Sequence, residues 1–472
     1  MILDGRGLTP GDVDAVARGG AEVVLADAAR ERNTAAMRAL EELVERGEPV
    51  YGVTTGVGPF RTREVSAEQR PEHQLRLLRS HASGAGRPLA PELVRAAMVV
   101  RANQLGAGGA GVSDALLAAL VQALNDDFTP VAHEVGSLGT ADLTALAEIA
   151  LALIDRYGVE LGPRDGIGFM SSNAASIGHA ALVARSAARL LDGGLRVAAL
   201  SFLGAAADPA VLDARVHDAR PHPGQVAVAA RMRDLLGAAG AAQRSADAPV
   251  QDPFPFRALA QVEGTAHDAL GALERVLAVE LNAAAENALV DAGEPAVLAN
   301  ANFHAGALAL ALDNFRAALA QSSSLTAARV TAMLEPGLTG LPPMLASNAG
   351  PGSGAMMLEY TAHPAAATVR VLAAPVTAHT TTVGGGVESH ASFAPLAARM
   401  AEQALDSASI AIATELVVAV RALRMRGVEP SGTPAADLYE RAGTVLEADM
   451  EDRPLAADLE AARRLLYEQD AG

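Results

Sequence analysis

Five short stretches of this chain place proton-moving or anion-holding side chains beside turns, four of them built on glycine and one on proline. In YGVTTGVGPF, Tyr51 opens a loop whose Gly52, Gly56 and Gly58 permit a backbone that β-branched neighbours alone would not adopt. Such a loop can carry a phenol over a pocket. A surface turn with a packed tyrosine fits the same letters, although only five tyrosines occur in the whole chain. In QDPFPFR, Arg257 stands just beyond two prolines at the start of an apolar helix pattern. The amides of a helix start and a guanidinium both favour an anion, so Arg257 suits a carboxylate, with an ordinary surface arginine as the alternative. RSHASGAG puts His81 between a helical segment and another glycine turn, where a hydrogen-bonded structural role and an acid or base role both stand open. NANFHAGALA places His304 at a further helix start, and GGGVESHASF places Glu388 and His390 after a triple glycine. If these groups meet, the chemistry within reach is proton transfer beside a held carboxylate, which needs a base in hydrogen-bond range and a fixed cation.

Helices must position them. Apolar residues recur at helical spacing over 91–105, 142–157, 174–192, 256–290, 304–334 and 397–426, with few β-branched alternations. The pattern predicts an all-α fold. A first helix is announced by Thr9 as N-cap, Pro10 in its first turn and Asp12 three residues on. Glycine- and proline-rich interruptions predict loops at 51–60, 83–88, 106–113, 243–255, 336–354 and 375–396. Neither a hairpin signal of comparable quality nor an internal repeat is evident. The abundant alanine lets long helices approach closely, as in a bundle, and genomic composition bias explains it as well.

With 472 residues, half of them hydrophobic and 3% aromatic, the chain is long enough for a large core built from Ala, Leu and Val. One helical body spanning 1–472 is expected, with a loop-bearing part over 1–200 and a central bundle with C-terminal helices over 201–472. The net charge of −18 repels nucleic acid and anionic membrane, and no basic run contradicts it. The absence of cysteine removes disulfides, thiolate metal ligands and a cysteine nucleophile, and no metal is expected. The first residues carry Asp4 and no apolar core of a signal peptide, and the longest apolar stretch, Ile410 to Val420, is interrupted by Glu415. A cytoplasmic protein with a small-molecule substrate is the expectation.

Taken in order, the stretches YGVTTGVG, RSHASGAG, PVAHEVGSLG, VQDPFPFR, ENALV, ANFHA and VESHASFAP resemble the histidine and phenylalanine ammonia-lyase family from Tyr51 to Pro395. The resemblance implies an almost wholly helical fold with long central bundles, and a homotetramer whose sites draw on more than one subunit. It also implies roles. Tyr51 matches the loop tyrosine that removes the β-proton, Arg257 the arginine for the substrate carboxylate, and Glu388 the acidic residue of the last motif. Tyr51 and Glu388 are therefore the expected catalytic residues, and His81, Ser171, Phe254 and Arg257 the expected substrate contacts. An ordinary tyrosine titrates near ~10, so the base role needs a neighbouring cation or helix N-terminus.

One segment departs from the family. There, a Gly-Ser-x-Gly turn is followed by Ala-Ser-Gly, whose backbone cyclises and loses water to give methylidene-imidazolone. Here GSLGTADL runs from Gly139 through Thr140 and Ala141 directly to Asp142. No Ser-Gly pair remains to supply the methylidene or to give the unhindered attacking amide. The family's loop Asn is Thr54, its Asn after the triad falls at Ser171, and the Tyr of its Gln-Asp-Pro-Tyr motif is Phe254. The expectation from these departures is an enzyme without prosthetic group or other cofactor. It would act by acid/base chemistry on a small carboxylate- or carbonyl-bearing biosynthetic intermediate, by elimination, isomerisation or cyclisation rather than by deamination. A non-catalytic binding or structural homologue, and an ammonia lyase with a variant cofactor, are the competing readings.

Overall fold

The computed structural model describes residues 1–237 and 250–467. The part of the expected 243–255 loop that lies before Val250 falls outside the described residues.

Helices dominate, and they begin where the sequence provides starts. Over Pro10–Ala17 the Thr9 hydroxyl accepts from the Asp12 amide, while the Asp12 carboxylate accepts from the Thr9 amide at 3.0 Å. This reciprocal cap is typically worth about 1 kcal/mol. Helices at Pro91–Ala107, Leu143–Tyr157, Ala174–Ala205, Gly306–Met333 and Ala394–Arg426 correspond to five of the expected segments. The segment expected over 256–290 is shorter and broken. A turn of helix at Phe254–Arg257 leads into Leu259–Glu280, after which the chain leaves the helix for a small hairpin. In that hairpin, Leu289–Asp291 pairs antiparallel with Ala296–Leu298, and the Asp291 carboxylate accepts from the Gly293 amide at 2.8 Å to close the turn. Two further two-stranded pairs join Ile2–Leu3 to Val24–Leu25 and Ala85–Pro88 to His133–Val135. None of the helices among the described residues is long and apolar enough to cross a membrane.

The chain forms two compact units, each assembled from separated segments. The first comprises Met1–Arg185, Leu273–Asp313 and Pro375–Arg399. Within it the helix Pro91–Ala107 is buried along most of its length, and its small residues allow close approach. A Cβ at Gly178 would lie 2.7 Å from the Ala96 backbone, so that crossing has no room for a side chain. An apolar cluster of Ala36, Ala39, Leu40, Val50, Val53 and Val290 anchors the chain on both sides of Tyr51. The same unit holds a buried charge group. Arg101 pairs with Glu286 at 2.9 Å, and burial pulls the nearby Arg164 guanidinium down to about 10, with Glu286 opposing that shift.

The second unit comprises Ser186–Ala272, Asn314–Ala374 and Met400–Gly472. It too holds a buried ion pair: Arg329 grips Glu415 through two nitrogens at 2.8 and 2.9 Å, and the Ser201 hydroxyl donates to the same carboxylate. Three donors on one carboxylate satisfy charges that the alanine- and leucine-rich interior could not otherwise hold.

Candidate active site

In the first unit a cavity of about 340 Å³ is lined by Tyr51, Gly58, Phe60, His81, Thr140, Ala141, Leu143, Ser171, Asn287, Phe303 and Glu388, among others. Tyr51 owes its position to the turn around it. Val50 and Val53 are buried in the apolar cluster, and the Thr54 hydroxyl accepts from the Val50 amide at 2.7 Å, which closes the bend. Thr54, matched by resemblance to an asparagine near the reacting group, thus serves the backbone of the loop and is not among the cavity residues. The Gly58 amide donates to the Tyr51 phenol oxygen at 2.9 Å, an oxyanion-type contact from the same glycine loop.

His81 ends the helix Arg70–His81, and its Nδ1 lies 2.8 Å from the Leu77 carbonyl. A carbonyl can only accept, so Nδ1 carries the proton in the neutral ring, leaving Nε2 as the acceptor. Ser171 caps the short helix Asp165–Met170, and its oxygen accepts from the Asn287 amide at 3.1 Å. That contact ties the ENALV segment to the cavity wall.

The GSLGTADL turn forms another wall, and its backbone is held at several points. The Gly139 carbonyl accepts from the Ala305 amide at 3.2 Å and from the Ser392 hydroxyl at 3.0 Å. The Ala141 amide donates to Phe303 and the Asp142 amide to Ser172, at 3.2 and 2.7 Å. Asp142 heads the helix Leu143–Tyr157, yet its carboxylate turns inward to accept from the Ser137 hydroxyl, the Ser176 amide and the Ser176 hydroxyl. Burial pushes the Asp142 carboxyl above the usual range, and those hydrogen bonds oppose the shift. Ala141 is held at φ +69°, a conformation that costs an alanine and persists only where its surroundings fix it. The Thr140 hydroxyl donates to Glu388 Oε2 at 2.8 Å. Next to it, His304 Nε2 and His390 Nδ1 lie 2.9 Å apart, joining the ANFHA and VESHASF segments.

The structure therefore brings Tyr51, His81, Thr140, Ala141, Ser171 and Glu388 to one cavity. Phe254 and Arg257 belong to the second unit, where they line a different cavity with Asp252, Thr331, Glu335 and His363. There Arg257 Nε donates to the Asp252 carbonyl at 2.9 Å, and its guanidinium stacks over Phe254. Sequence reasoning did not single out Asn287, Phe303 or Phe60 as wall residues. The first two lie in the ENALV and ANFHA stretches quoted above, and the third ends YGVTTGVGPF, so the motifs marked the loops without telling which side chains turn inward.

The sequence profile of the aromatic amino acid lyases matches residues 8–159 and 156–444. The histidine ammonia-lyase of Symbiobacterium thermophilum is 35% identical, over 98% of this chain and 96% of that protein. That of Treponema denticola is 32% identical, over 99% and 96%. The crystal structure of the ergothioneine-degrading ergothionase from Treponema denticola, in complex with desmethyl-ergothioneine sulfonic acid, superposes with a TM-score of 0.93 at 27% identity, over 99% of this chain and 98% of that one. These likenesses overturn the expectation of an acid/base enzyme outside the family's deamination chemistry. That expectation weighed four residues, Gly139 to Asp142, against a likeness to histidine ammonia-lyases that spans nearly the whole chain.

Proposed function

The chain belongs to the aromatic amino acid lyase family, and from that premise we propose that it is a carbon–nitrogen lyase that releases ammonia from histidine or an amino acid of closely similar shape. The observation that carries the reading is one cavity lined by Tyr51, His81, Ser171 and Glu388. In the proposed reaction the Tyr51 oxygen takes a proton from the β-carbon. The electron pair of that C–H bond becomes the carbon–carbon double bond, and the pair of the C–N bond leaves with nitrogen as ammonia. Glu388 is the second acid/base group. His81, through Nε2, and the Ser171 hydroxyl hold the substrate ring. For the substrate carboxylate the proposal keeps Arg257, with Phe254 beside it, brought to the substrate when chains assemble into a homotetramer in the cytoplasm. The Thr140–Ala141 pair does not fit a methylidene-imidazolone ring, since no serine is present and the Asp142 amide is committed to Ser172. No step of the proposal passes through such a ring.

The test is direct. The purified chain is given L-histidine, L-phenylalanine and L-tyrosine, and ammonia is measured together with the ultraviolet absorbance of the conjugated acrylate product. Ammonia and acrylate appearing in equal amounts from histidine are expected. Tyr51→Phe, which removes one hydroxyl, should lower kcat by roughly 10²–10⁴-fold with the fold intact. Absence of ammonia from all three amino acids in a folded preparation would overturn the reading, and light scattering that shows a stable monomer would remove the tetramer from it.

A further inference from the structure

We infer that the Thr140 hydroxyl, oriented by Glu388, recognises the ammonium group of the substrate and so selects amino acids over the corresponding amine-free acids. The inference rests on the reading above that the cavity takes an α-amino acid, and it assigns which part of that molecule meets which wall.

Three observations lead to it. Among the described lining residues Glu388 is the one carboxylate and neither arginine nor lysine occurs, so the fixed charge they give the cavity suits a cation. Next, the Thr140 hydroxyl spends its only proton on Glu388 Oε2, at 2.8 Å. A hydroxyl that has donated still has acceptor capacity, and a carboxylate can receive several donors, so the pair presents two adjacent acceptors and no competing donor. An ammonium group, with three donors and no acceptor, is the complement of that arrangement. Finally, Thr140 is not free to turn away. It is largely buried, it bridges to His304 through the backbone, and the residues on either side of it are fixed, Gly139 by the bonds from the Ala305 amide and the Ser392 hydroxyl and Ala141 by its own bond to the Phe303 carbonyl. The backbone strain at Ala141 and the anchoring of Gly139 thus aim one particular side chain at Glu388. A carboxylate of the substrate in the same place would face Glu388 across a few ångströms and be repelled.

The experiment compares two ligands of the same skeleton, L-histidine and 3-(imidazol-4-yl)propanoate, by calorimetric titration of the whole protein. With Thr140→Val, which keeps the shape and removes the hydroxyl, the dissociation constant of histidine should rise roughly 10- to 100-fold, the usual worth of a hydrogen bond to a charged group. The amine-free acid should bind as it does to the unaltered protein. Thr140→Ser, which restores the hydroxyl, should restore histidine binding. Should Thr140→Val fail to fold, Glu388→Gln, which keeps the outline and removes the charge, must weaken histidine more than the amine-free acid. Equal loss for both ligands, or no loss for either, overturns the assignment of Thr140 while leaving the lyase reading in place. An unaltered protein that binds neither histidine nor any other amino acid, and releases no ammonia, overturns both together.

Discussion

Gly139 is the residue on which the geometry of the cavity wall turns. Its φ of +78° is one that a side chain resists, and a Cβ built there would stand 2.0 Å from the Ser392 hydroxyl and 3.0 Å from the Ala394 amide. Gly139→Ala must therefore displace the Ser392 bond to the Gly139 carbonyl and with it the turn that presents Thr140 to Glu388. The backbone term alone should cost about 1–3 kcal/mol. A lowered melting temperature together with a loss of ammonia release is the expected result, and an unchanged melting curve would show that the turn does not need this conformation. Thr140 and Glu388 meet for the same reason: both sit on glycine-bearing loops whose backbones bond to each other through Phe393 and Leu138 at 2.9 Å.

At the scale of elements, the segments that carry Ser171 and Asn287 are held by the buried charges. Arg101, from the helix Pro91–Ala107, donates to the Phe169 carbonyl at 2.9 Å and pairs with Glu286, while Arg164 donates to the Ala288 carbonyl. Removing the carboxylate charge leaves two guanidiniums in the interior with no counter-ion. Glu286→Gln should for that reason lower the unfolding free energy by about 3–5 kcal/mol, read from urea denaturation at neutral pH. A change below 1 kcal/mol would mean that water reaches the arginines. This support was invisible in the sequence, because Glu286 opens ENALV and Arg101 lies in an apolar helix, with nothing in the spacing to pair them. The helices themselves were legible, since their apolar periodicity and the Thr9 cap are local properties. Where the reading ran too long, over 256–290, the composition stays helix-friendly past Glu280, and only the hairpin partner at Ala296–Leu298 draws the chain into a strand. The site was half legible: glycine turns revealed Tyr51, Thr140 and Glu388, but their convergence depends on pairings across the fold. The reaction was misjudged because a local gap at 139–142 was given more weight than the architecture around it.

For the molecule as a whole, each unit carries a half-buried histidine that ties stability to pH. Burial holds His267, in the second unit, below the ordinary imidazole value of 6.5, although Glu263, Asp192 and Asp268 pull it back. Its Nε2 has no hydrogen-bond partner among the described residues. His73, in the first unit, is likewise lowered by burial, against the carbonyls of Thr55 and Gly52. Both histidines are therefore preferentially neutral in the folded chain. As pH falls through about 6.5, the unfolded chain takes up protons at these positions while the folded chain does not, so acid favours unfolding. The contribution is fully present above pH 6.5 and is lost progressively below it, down to the folded values. Asp142 and Asp165, whose carboxyls burial raises, have the opposite sign: their folded forms are favoured by protonation, and that contribution is lost as pH rises above the ordinary carboxylate value. Protonation also reduces the repulsion inherent in a net charge of −18, which opposes the histidine effect. Urea midpoints measured at pH 7.5, 6.5 and 5.5 should fall over that series, and His267→Phe, which fills the site without titrating, should flatten the fall. If the midpoints rise instead, relief of charge repulsion outweighs the two histidines, and the pH response of this fold is set by its surface and not by its interior.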